Sequence, residues 1–431
     1  MWKHHAAGSY ADRINEVARA RGERWLDLTG GAVSSEFMFP KIYQTLVEAP
    51  LVYQAAAAFM EAGDFIVRTL TGVPYASYQY AAYKCQYGEG AYPSEDFFAA
   101  VDEKLRHVVR DKLPFPLKKP GEAVGRVTAA AAARFGLAEG TVVAAATADA
   151  HVAAFSLDTC RSGDAYAVFG TSAPFFVLGE KLLPIEGVFG VAEDGVVPGT
   201  VGYEAGLCCF GDHFAYAADR LTSPLYVGEA EARGISMLRL LIEKASKKKP
   251  GESGVLALNW FNGNRSVLSD SALSGLFVGV TLATAPEDLM RALIEATAFA
   301  TRNIFETLKR GGVPVTQLVA AGGVARKDPF TMGLFADVLG LPIRIAATTE
   351  APALGSAVNA AVAAGVYPSF AEAIPAMSQV SDTVYRPNEA NRAVYDSLYA
   401  EYMRLHDYFG RGENGVMHRL RDIKKQAIRE R

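Results

Sequence analysis

This chain has few cysteines, little excess of charge of either sign and no long apolar runs. The four cysteines among 431 residues form no Cys-x-x-Cys pair and no metal-ligand spacing, so we predict neither a disulfide framework nor metal-ligating residues. A net charge of −4 gives no general attraction to nucleic acid or to an anionic membrane. No apolar run is long enough to span a membrane, and no signal-peptide core follows Met1. We therefore expect a cytoplasmic protein with reduced thiols, without a nucleic-acid or membrane partner.

Two phosphate-binding motifs are also missing. No Gly-x-x-x-x-Gly-Lys-Ser/Thr string occurs, which excludes a P-loop nucleotide site. No Asp-x-Gly-Thr string occurs either. The composition is 50% hydrophobic and 21% charged, as in an ordinary globular enzyme, and the length is sufficient for two domains.

The most informative segment that is present is an apolar run ending in an acid. Residues 141–149 read Thr-Val-Val-Ala-Ala-Ala-Thr-Ala-Asp, which predicts a strand with Asp149 at its end. A carboxylate in that position can act as a general base. The alternative is an acid that caps a helix or closes a turn, and the run alone favours this alternative.

A predicted hairpin follows about twenty residues later. Apolar segments 165–169 and 173–178 flank Gly170, Thr171 and Ser172. Backbone N–H groups and hydroxyls in such a tight turn can hold a phosphate, whereas the alternative is a plain turn between strands. The spacing between Asp149 and the hairpin favours the functional interpretation of both.

The chain falls into a mainly helical first part and an α/β second part. Residues 6 to about 138 show helical periodicity and no run of strands. From about residue 141 strands and helices alternate, with a glycine-rich, irregular stretch at 196–209. We predict an α/β fold with domains 1–155 and 156–431. The individual elements predicted are helices that end at Gly22 and Gly72, helices over 96–110 and 286–310, a strand over 317–321, a helix from Asp328, a strand over 343–345 and a helix over 352–364.

Two glycine-rich segments carry further candidate residues. Gly322 and Gly323 follow a predicted strand and would allow the backbone to approach a nucleotide closely, although many α/β proteins have such turns without a ligand. Glu204 lies within the segment Gly202-Tyr-Glu-Ala-Gly206, where its carboxylate would suit sugar hydroxyls. The alternative for Glu204 is an exposed loop acid.

Lys84 follows a run of aromatic residues, which is consistent either with a sugar-binding cleft or with a plain packed face. The basic segment 418–431 has the pattern of an amphipathic terminal helix, and we interpret it as solvated.

Taken in order along the chain, these segments resemble the FGGY carbohydrate kinases. The resemblance runs from Trp2 to the last helix and is more specific than any one motif. The stretches that carry it are Trp2-Lys-His-His-Ala-Ala7, Ser34-Ser-Glu36 with Pro40-Lys41, Ala148-Asp-Ala-His151, Phe169-Gly-Thr-Ser172, Gly202-Tyr-Glu-Ala-Gly206, Asn262-Gly-Asn-Arg265, Ala321-Gly-Gly-Val324 and Ala351-Pro-Ala-Leu-Gly-Ser356.

The resemblance implies two RNase H-like domains of the actin/hexokinase ATPase type, with ATP and Mg²⁺ between them. It implies transfer of the γ-phosphoryl group of ATP to the terminal hydroxyl of a ketopentose. L-Ribulose is the sugar expected, and D-ribulose and xylulose are the alternatives. A homodimer is one possible assembly.

Site residues are implied position by position. On the sugar side, Asp149 resembles the catalytic base, and Lys84 and Glu204 resemble sugar contacts. Gly170, Thr171 and Ser172 resemble a phosphate-binding hairpin. The residues implied to contact adenosine or to lie near the nucleotide are Gly322, Gly323, Asn262 and Arg265.

The chain departs from the family at its front. Family members begin with on the order of a hundred further residues, which carry the Asp-x-Gly-Thr hairpin and the leading strands of the first domain. We therefore expect the first domain to be truncated, to expose apolar helix faces and to support little or no kinase activity. A non-catalytic remnant that binds a nucleotide or a sugar is the alternative from another functional class.

Overall fold

The computed structural model describes residues 6–429, so most of the family-like stretch at Trp2 lies outside the described residues. The chain folds into two compact units, and each unit is built from segments that are not contiguous in sequence. Unit 1 comprises the segment up to Gly163, Phe176–Glu204 and Glu350–Gln379. Unit 2 comprises Asp164–Phe175, Ala205–Thr349 and the segment from Val380 onward.

The described residues alternate between helices and strands as predicted for an α/β protein. The strands are β1 (Ala76–Ser77), β2 (Leu117–Lys118), β3 (Ala123–Arg126), β4 (Val142–Ala144), β5 (Asp164–Val168), β6 (Ala173–Gly179), β7 (Gly190–Glu193), β8 (Val201–Leu207), β9 (Leu256–Leu258), β10 (Leu276–Val278), β11 (Gln317–Ala321), β12 (Ile343–Ala346) and β13 (Val380–Tyr385). The helices are α1 (Gly8–Arg21), α2 (Met38–Glu48), α3 (Pro50–Ala55), α4 (Ala62–Thr71), α5 (Tyr78–Lys84), α6 (Glu95–Val101), α7 (Val108–Lys112), α8 (Ala129–Phe135), α9 (Asp149–Val152), α10 (Gly211–Arg220), α11 (Pro224–Arg233), α12 (Met237–Ala245), α13 (Pro286–Arg310), α14 (Gly323–Lys327), α15 (Pro329–Leu339), α16 (Ala351–Ala363), α17 (Phe370–Met377), α18 (Glu389–Gly410) and α19 (Val416–Arg429). Short 3₁₀ helices occupy Arg24–Thr29, Glu103–Leu105 and Ala153–Ser156.

Unit 2 contains most of a seven-stranded sheet. Its strands follow the order β13, β12, β11, β5 and then the start of β6. Strand β11 pairs in parallel with β12 on one side and with β5 on the other, with Ala321 opposite Val168. Because the two strands are parallel, the loops that follow β5 and β11 leave the sheet at the same edge.

Helix α13 forms the centre of the unit 2 core, with buried residues on most of its surface. The sequence predicts its limits well, since Pro286 stands at the first helical turn and Gly311 ends the helix. Asp288 accepts a hydrogen bond from the N–H of Ala285 at 2.8 Å, which satisfies an amide that precedes the helix.

Unit 1 is largely helical, as predicted for residues 6–138. Its strands include a parallel pair, β1 with β2, and an antiparallel pair, β3 with β4. It also holds the rest of the large sheet, namely the remainder of β6, the first residues of β8, and β7, which pairs antiparallel with β8. The main apolar core of its helices includes Ile14, Val17, Ala18, Ile42, Phe97, Phe98, Val101, Leu105 and Val108.

Helices of unit 1 also carry apolar side chains that are more than half exposed. Leu51 and Val52 of α3 are 78% and 59% exposed, and Phe65 and Ile66 of α4 are 60% and 58% exposed. Among residues 6–429, no helix is both long enough and apolar enough to cross a membrane.

Two local predictions are corrected here. The helix predicted over 96–110 breaks at Asp102, whose backbone is extended and whose side chain accepts the N–H of Lys104 at 2.9 Å. An aspartate can bind nearby backbone groups in this way and so competes with the helix. The glycine-rich stretch 196–209 is not wholly irregular, because β8 lies within it.

The helix predicted from Asp328 is confirmed as α15, which Asp328 caps. A short helix that the sequence did not predict, α14, lies between it and the Gly322-Gly323 turn.

Asp149 does not lie at the end of a strand. Strand β4 ends at Ala144, and Asp149 is the first residue of the short helix α9. Helix α9 is held close to α16, because a Cβ atom on Gly355 would lie 1.9 Å from the carbonyl oxygen of Val152. Gly355 therefore lets α16 pack closely against α9, and this packing fixes the helix that carries Asp149.

Asp64 of α4 gives unit 1 a pH-dependent stability. The side chain is 2% exposed and accepts the N–H of Ser77 at 3.1 Å, and burial raises the pKa of its carboxyl to about 6. The unfolded pKa is about 3.9, so this carboxyl favours folding fully below about pH 4, and the contribution is lost as the pH rises through about 6.

We expect Asp64→Asn, which cannot ionise, to gain stability over the wild type as the pH rises, by on the order of 2 kcal/mol between about pH 4 and 7. Urea unfolding across this range measures the difference, with the exposed Asp12→Asn as the matched control. A difference between variant and wild type that stays constant with pH would contradict the assignment.

Candidate functional site

Asp149 presents an exposed carboxyl group at the start of α9. One of its oxygens, Oδ1, accepts the N–H of Ala150 at 2.7 Å. Carboxylates are favoured in the first turn of a helix, since they complement the amide groups there. The residue therefore has the local role of a helix-start acid and also a carboxylate that solvent or a ligand can reach.

His151, two residues further on, connects α9 to β8. Its Nε2 atom lies 3.4 Å from Oε2 of Glu204, and the imidazole is almost completely buried. The ring packs against Tyr83 and Phe176, each with a centroid separation of 4.5 Å. Because the two aromatic rings fix the imidazole, they also fix the carboxylate of Glu204 beside it.

Glu204 lies in the middle of β8 and not in an exposed loop. Its backbone carbonyl accepts the N–H of Phe189 at 2.8 Å, and its side chain is 16% exposed. The carboxylate therefore belongs to a strand, is largely buried and lies beside the buried imidazole of His151. Polar groups placed in this way can orient a ligand.

Lys84 is the last residue of α5, and contacts through aromatic rings connect it to the same region. Its Nζ atom lies 5.2 Å from the ring centroid of Phe37, which packs edge-on against Phe189 at 5.7 Å. Phe189 in turn bonds to the backbone of Glu204. We call Lys84, Asp149, His151 and Glu204 the Asp149 cluster. The sequence named three of its members as site residues but gave no role to His151.

Tyr83, beside Lys84, joins α5 to β8 directly. Its hydroxyl donates a hydrogen bond to the carbonyl of Gly202 at 3.0 Å, and complete burial raises the pKa of the phenol well above its usual value. The tyrosine therefore stays neutral and acts as a fixed donor. For Tyr83 and the buried Tyr75, the packed-face interpretation of the aromatic run holds.

The predicted phosphate-binding hairpin is present in unit 2 between β5 and β6. The N–H groups of Phe210 and Gly211 donate to the carbonyls of Thr171 and Gly170 at 2.8 and 2.9 Å. The ring of Phe210 stacks on Phe169 with a centroid separation of 4.6 Å. With these carbonyls engaged by the start of α10, the exposed Gly170 and Thr171 form a fixed tip for the hairpin.

The turn at Gly322 touches the base of this hairpin. Gly322 has φ 97° and ψ 175°, and a Cβ atom there would lie 2.5 Å from the carbonyl oxygen of Phe169. The N–H of Phe169 donates to the carbonyl of Ala321 at 2.8 Å. Only glycine adopts this conformation readily, so two loops that the sequence singled out separately depend on each other.

An open pocket of about 490 Å³ lies beside α14, the helix that follows the Gly322 turn, at the carboxyl end of β12. Open α/β sheets bind ligands at this edge. No sequence motif pointed to this pocket. The β-branched run at Val380–Tyr385, which predicts a strand, was the available signal. The lining includes Ala325, Arg326, Ile345, Ala346, Ser381, Asp382, Thr383 and Tyr385.

Asn262 and Arg265 belong to the loop that follows β9. Arg265 lines a small cavity with Cys208, Asn259 and Ser266. A Cβ atom on Gly206 would lie 3.8 Å from the Cδ atom of Arg265. The same position is 3.2 Å from the carbonyl oxygen of Ala173. The stem of Arg265 thus lies near the residue that follows Ser172. Asn262 is exposed.

In the part of the chain that the structure describes, no three His, Cys, Asp or Glu side chains converge in a way that could hold a metal ion. Mg²⁺ commonly keeps several waters and binds through substrate phosphates with one or two carboxylates. A donor set with few carboxylates is compatible with a metal that arrives on a nucleotide.

Comparison with known proteins gives a consistent set of relatives. Residues 165–364 match the C-terminal domain of the FGGY family of carbohydrate kinases. Ribulokinase from Bacillus licheniformis is 46% identical over 429 residues, covering 98% of this chain and 78% of that protein. Ribulokinase from Mycolicibacterium smegmatis is 44% identical over 429 residues, covering 100% of this chain and 76% of that protein.

Solved structures show the same fold. The crystal structure of xylulose kinase from Rhodospirillum rubrum superposes with a TM-score of 0.77 at 26% identity, covering 92% of this chain and 77% of that one. Plasmodium falciparum glycerol kinase with ADP superposes with a TM-score of 0.71 at 16% identity, covering 91% and 77%. The α/β architecture of the actin/hexokinase type, implied by the sequence resemblance, is confirmed.

We expect Gly322→Ala to destabilise unit 2, because the added methyl group meets the Phe169 carbonyl and the backbone conformation disfavours any side chain. The loss should be about 2–4 kcal/mol in the free energy of unfolding, measured by denaturant titration. Gly333→Ala, in helix α15 with no atom within 4 Å of the new Cβ position, is the one-methyl control and should not destabilise. Equal effects of the two changes would show that the close approach is unimportant.

Proposed function

The chain belongs to the FGGY family of carbohydrate kinases, and from this premise we propose that it phosphorylates L-ribulose to L-ribulose 5-phosphate with ATP, a step in the use of L-arabinose. The observation that carries the proposal is the similarity to several ribulokinases at 43–46% identity over 98–99% of this chain. Within the Asp149 cluster, the exposed carboxyl of Asp149 and the largely buried pair of His151 and Glu204 support phosphoryl transfer to a small polyhydroxy compound.

In the proposed reaction, the Asp149 cluster handles the sugar. Asp149 accepts the proton of the terminal hydroxyl as that oxygen attacks the γ-phosphorus, and the bond from phosphorus to the β-phosphate oxygen breaks. Glu204 and Lys84 bind the other hydroxyls. The fixed position of Glu204 on β8 supports this role, since an immobile carboxylate selects the geometry of its partner.

The loops of unit 2 handle the nucleotide. Gly170, Thr171 and Ser172 are proposed to hold a phosphate group, and the Gly322-Gly323 turn with its adjoining pocket is proposed to hold adenosine. The contact between Gly322 and Phe169 supports a common ligand for both loops. Asn262 and Arg265 are proposed to lie near the nucleotide, which the position of the Arg265 stem beside Ala173 supports.

Mg²⁺ is proposed to enter as part of the MgATP substrate and to neutralise charge on the phosphates. We also propose a cytoplasmic location, where ATP is available, domains at 1–155 and 156–431, and a homodimer as the assembly. None of the four cysteines forms a disulfide, which supports a reducing compartment.

A second candidate is phosphorylation of another pentulose. The similarity to a solved xylulose kinase at 26% identity favours xylulose as the competing sugar. Initial rates with L-ribulose, D-ribulose and xylulose, measured at the same ATP concentration, distinguish an L-ribulose kinase from a kinase for another pentulose. A higher kcat/KM for xylulose than for L-ribulose would reject the proposed substrate. Calorimetry with sugar and ATP, beside the turnover assay, identifies a chain that binds but does not catalyse.

We expect Asp149→Asn to lower kcat by about a hundred- to ten-thousand-fold while ATP binding stays close to that of the wild type, because the variant cannot accept the proton. Coupled ADP release measures kcat, and calorimetry measures ATP binding. The exposed Asp27→Asn is the control. Turnover of the Asp149→Asn variant within tenfold of the wild type would remove Asp149 from the base role.

We expect Glu204→Ala and Lys84→Ala to raise the sugar KM far more than the ATP KM. Loss of one buried polar contact costs about 1–3 kcal/mol, or about 5- to 150-fold in affinity. Steady-state kinetics with each substrate varied in turn measures both constants. The exposed Glu139→Ala and Lys247→Ala are matched controls. If the ATP KM moves and the sugar KM does not, the sugar assignment of the Asp149 cluster is wrong.

A further inference from the structure

The segment that leads to Asp149 belongs to no helix or strand. Strand β4 ends at Ala144, and α9 begins at Asp149, so residues 145–148 lie in neither element. Backbone N–H and C=O groups that no helix or strand pairs need other partners when water is excluded. Backbone groups pair the Ala145 N–H and the Ala148 carbonyl, and side chains from two other parts of unit 1 pair several of the remaining groups.

Three of these side chains come from one short stretch, residues 75–79, which contains β1 and the start of α5. The N–H of Ala146 donates to the hydroxyl of Tyr75 at 3.0 Å. The hydroxyl of Ser77 donates to the carbonyl of Ala146 at 2.7 Å. The N–H of Ala148 donates to Oε1 of Gln79 at 3.1 Å. Tyr75, Ser77 and Gln79 are each at most 1% exposed.

A fourth side chain holds the segment from α16. The amide nitrogen of Asn359 donates to the carbonyl of Ala145 at 2.9 Å, while its oxygen accepts the N–H of Gly121. Asn359 is also buried. The segment before Asp149 is therefore fixed by buried side chains on two sides. Of these side-chain bonds, the one in which Gln79 accepts the Ala148 N–H is nearest to Asp149.

The stretch that holds this segment also positions the rest of the Asp149 cluster. Ser77 caps α5 by accepting the N–H of Tyr80 at 3.4 Å, and α5 ends at Lys84. Tyr83 on the same helix binds the β8 backbone two residues before Glu204. One short helix thus connects the proposed base, the proposed sugar lysine and the proposed sugar carboxylate.

We propose that Gln79 is a positioning residue for Asp149, acting through its bond to the Ala148 N–H. This inference rests on the proposed role of Asp149 as the base. A buried amide side chain is unfavourable unless it is hydrogen-bonded, and the oxygen of Gln79 meets this requirement by accepting the Ala148 N–H. That bond also removes the freedom of the peptide group next to Asp149. Displacement of a catalytic group by about 1 Å can lower a rate by about a hundredfold.

The test compares Gln79→Met, which keeps the volume but loses the acceptor, with Gln79→Glu, which keeps an oxygen at the same reach. Asn15→Leu is the matched control, because Asn15 is also a buried amide in unit 1 and bonds to both backbone groups of Val33. Hydrogen–deuterium exchange of the amides at 145–150 is measured on the full chain, together with kcat and both KM values.

We expect Gln79→Met to speed exchange at Ala148 by about tenfold or more and to lower kcat by about 10- to 100-fold, with both KM values within about threefold of the wild type. Gln79→Glu should restore the protection of Ala148 and most of kcat. Asn15→Leu should speed exchange at Val33 and leave kcat unchanged.

Wild-type exchange at Ala148 in Gln79→Met would overturn the proposal, and so would a kcat equal to that of the Asn15→Leu control. Exchange requires no turnover, so it decides whether Gln79 holds the segment whatever the activity of the chain. Persistent turnover in Asp149→Asn would instead overturn the proposed role of Asp149, and the two failures are distinguishable.

Discussion

The close approach of Gly322 to the carbonyl oxygen of Phe169 is the contact on which the loops proposed to bind the nucleotide depend. Parallel pairing of β5 with β11 brings the two loops to one edge of the sheet, but pairing alone leaves the loops free beyond the last ladder bond. The approach at Gly322, with the bond from Phe169 to Ala321, removes that freedom. A hairpin tip held in this way can offer donors to a phosphate without being reordered when the phosphate binds, which lowers the entropic cost of binding.

In unit 1, the segment that leads to Asp149 is held by different interactions. The segment before Asp149 is not flanked by parallel strands, so its backbone groups are held by side chains of Tyr75, Ser77, Gln79 and Asn359. The packing of Gly355 against Val152 repeats the close glycine approach seen at Gly322. Side-chain bonds fix individual peptide groups more locally than a sheet does. A base whose position matters within about 1 Å benefits from such local control.

These two devices differ in how well the sequence predicts them. The strand at 317–321, the limits of α13 and the glycine pair at Gly322 depend on neighbouring residues, and the sequence predicts each of them. The apolar run before Asp149 was predicted as a strand because it is an unbroken run of small and β-branched residues, and only Val142–Ala144 forms one. It leaves the strand because its partners lie far away in the chain: Gln79 is 69 residues from Ala148, and Asn359 is 214 residues from Ala145. Tertiary hydrogen bonds of this kind override local propensity, and no periodicity reveals them. The same holds for His151, whose burial between Tyr83 and Phe176 depends on three separate segments.

The attachment of the Asp149 cluster to separate elements also bears on how sugar preference can change. Asp149 is fixed through α9 and its tethered segment, whereas Glu204 is fixed by β8, and Lys84 is oriented by the ring of Phe37. A substitution at Phe37 or Phe189 therefore reshapes the surroundings of Lys84 and Glu204 without touching a bond that holds Asp149. Sites that pair buried polar groups with ligand hydroxyls discriminate strongly against sugars that leave those groups unpaired. If the proposed roles hold, changes of substrate among related kinases are expected to concentrate in the aromatic contacts of Lys84 and Glu204, the proposed sugar contacts. The bonds around residues 145–148 are expected to stay as they are, because a change there would displace the proposed base and impair phosphoryl transfer to every sugar alike.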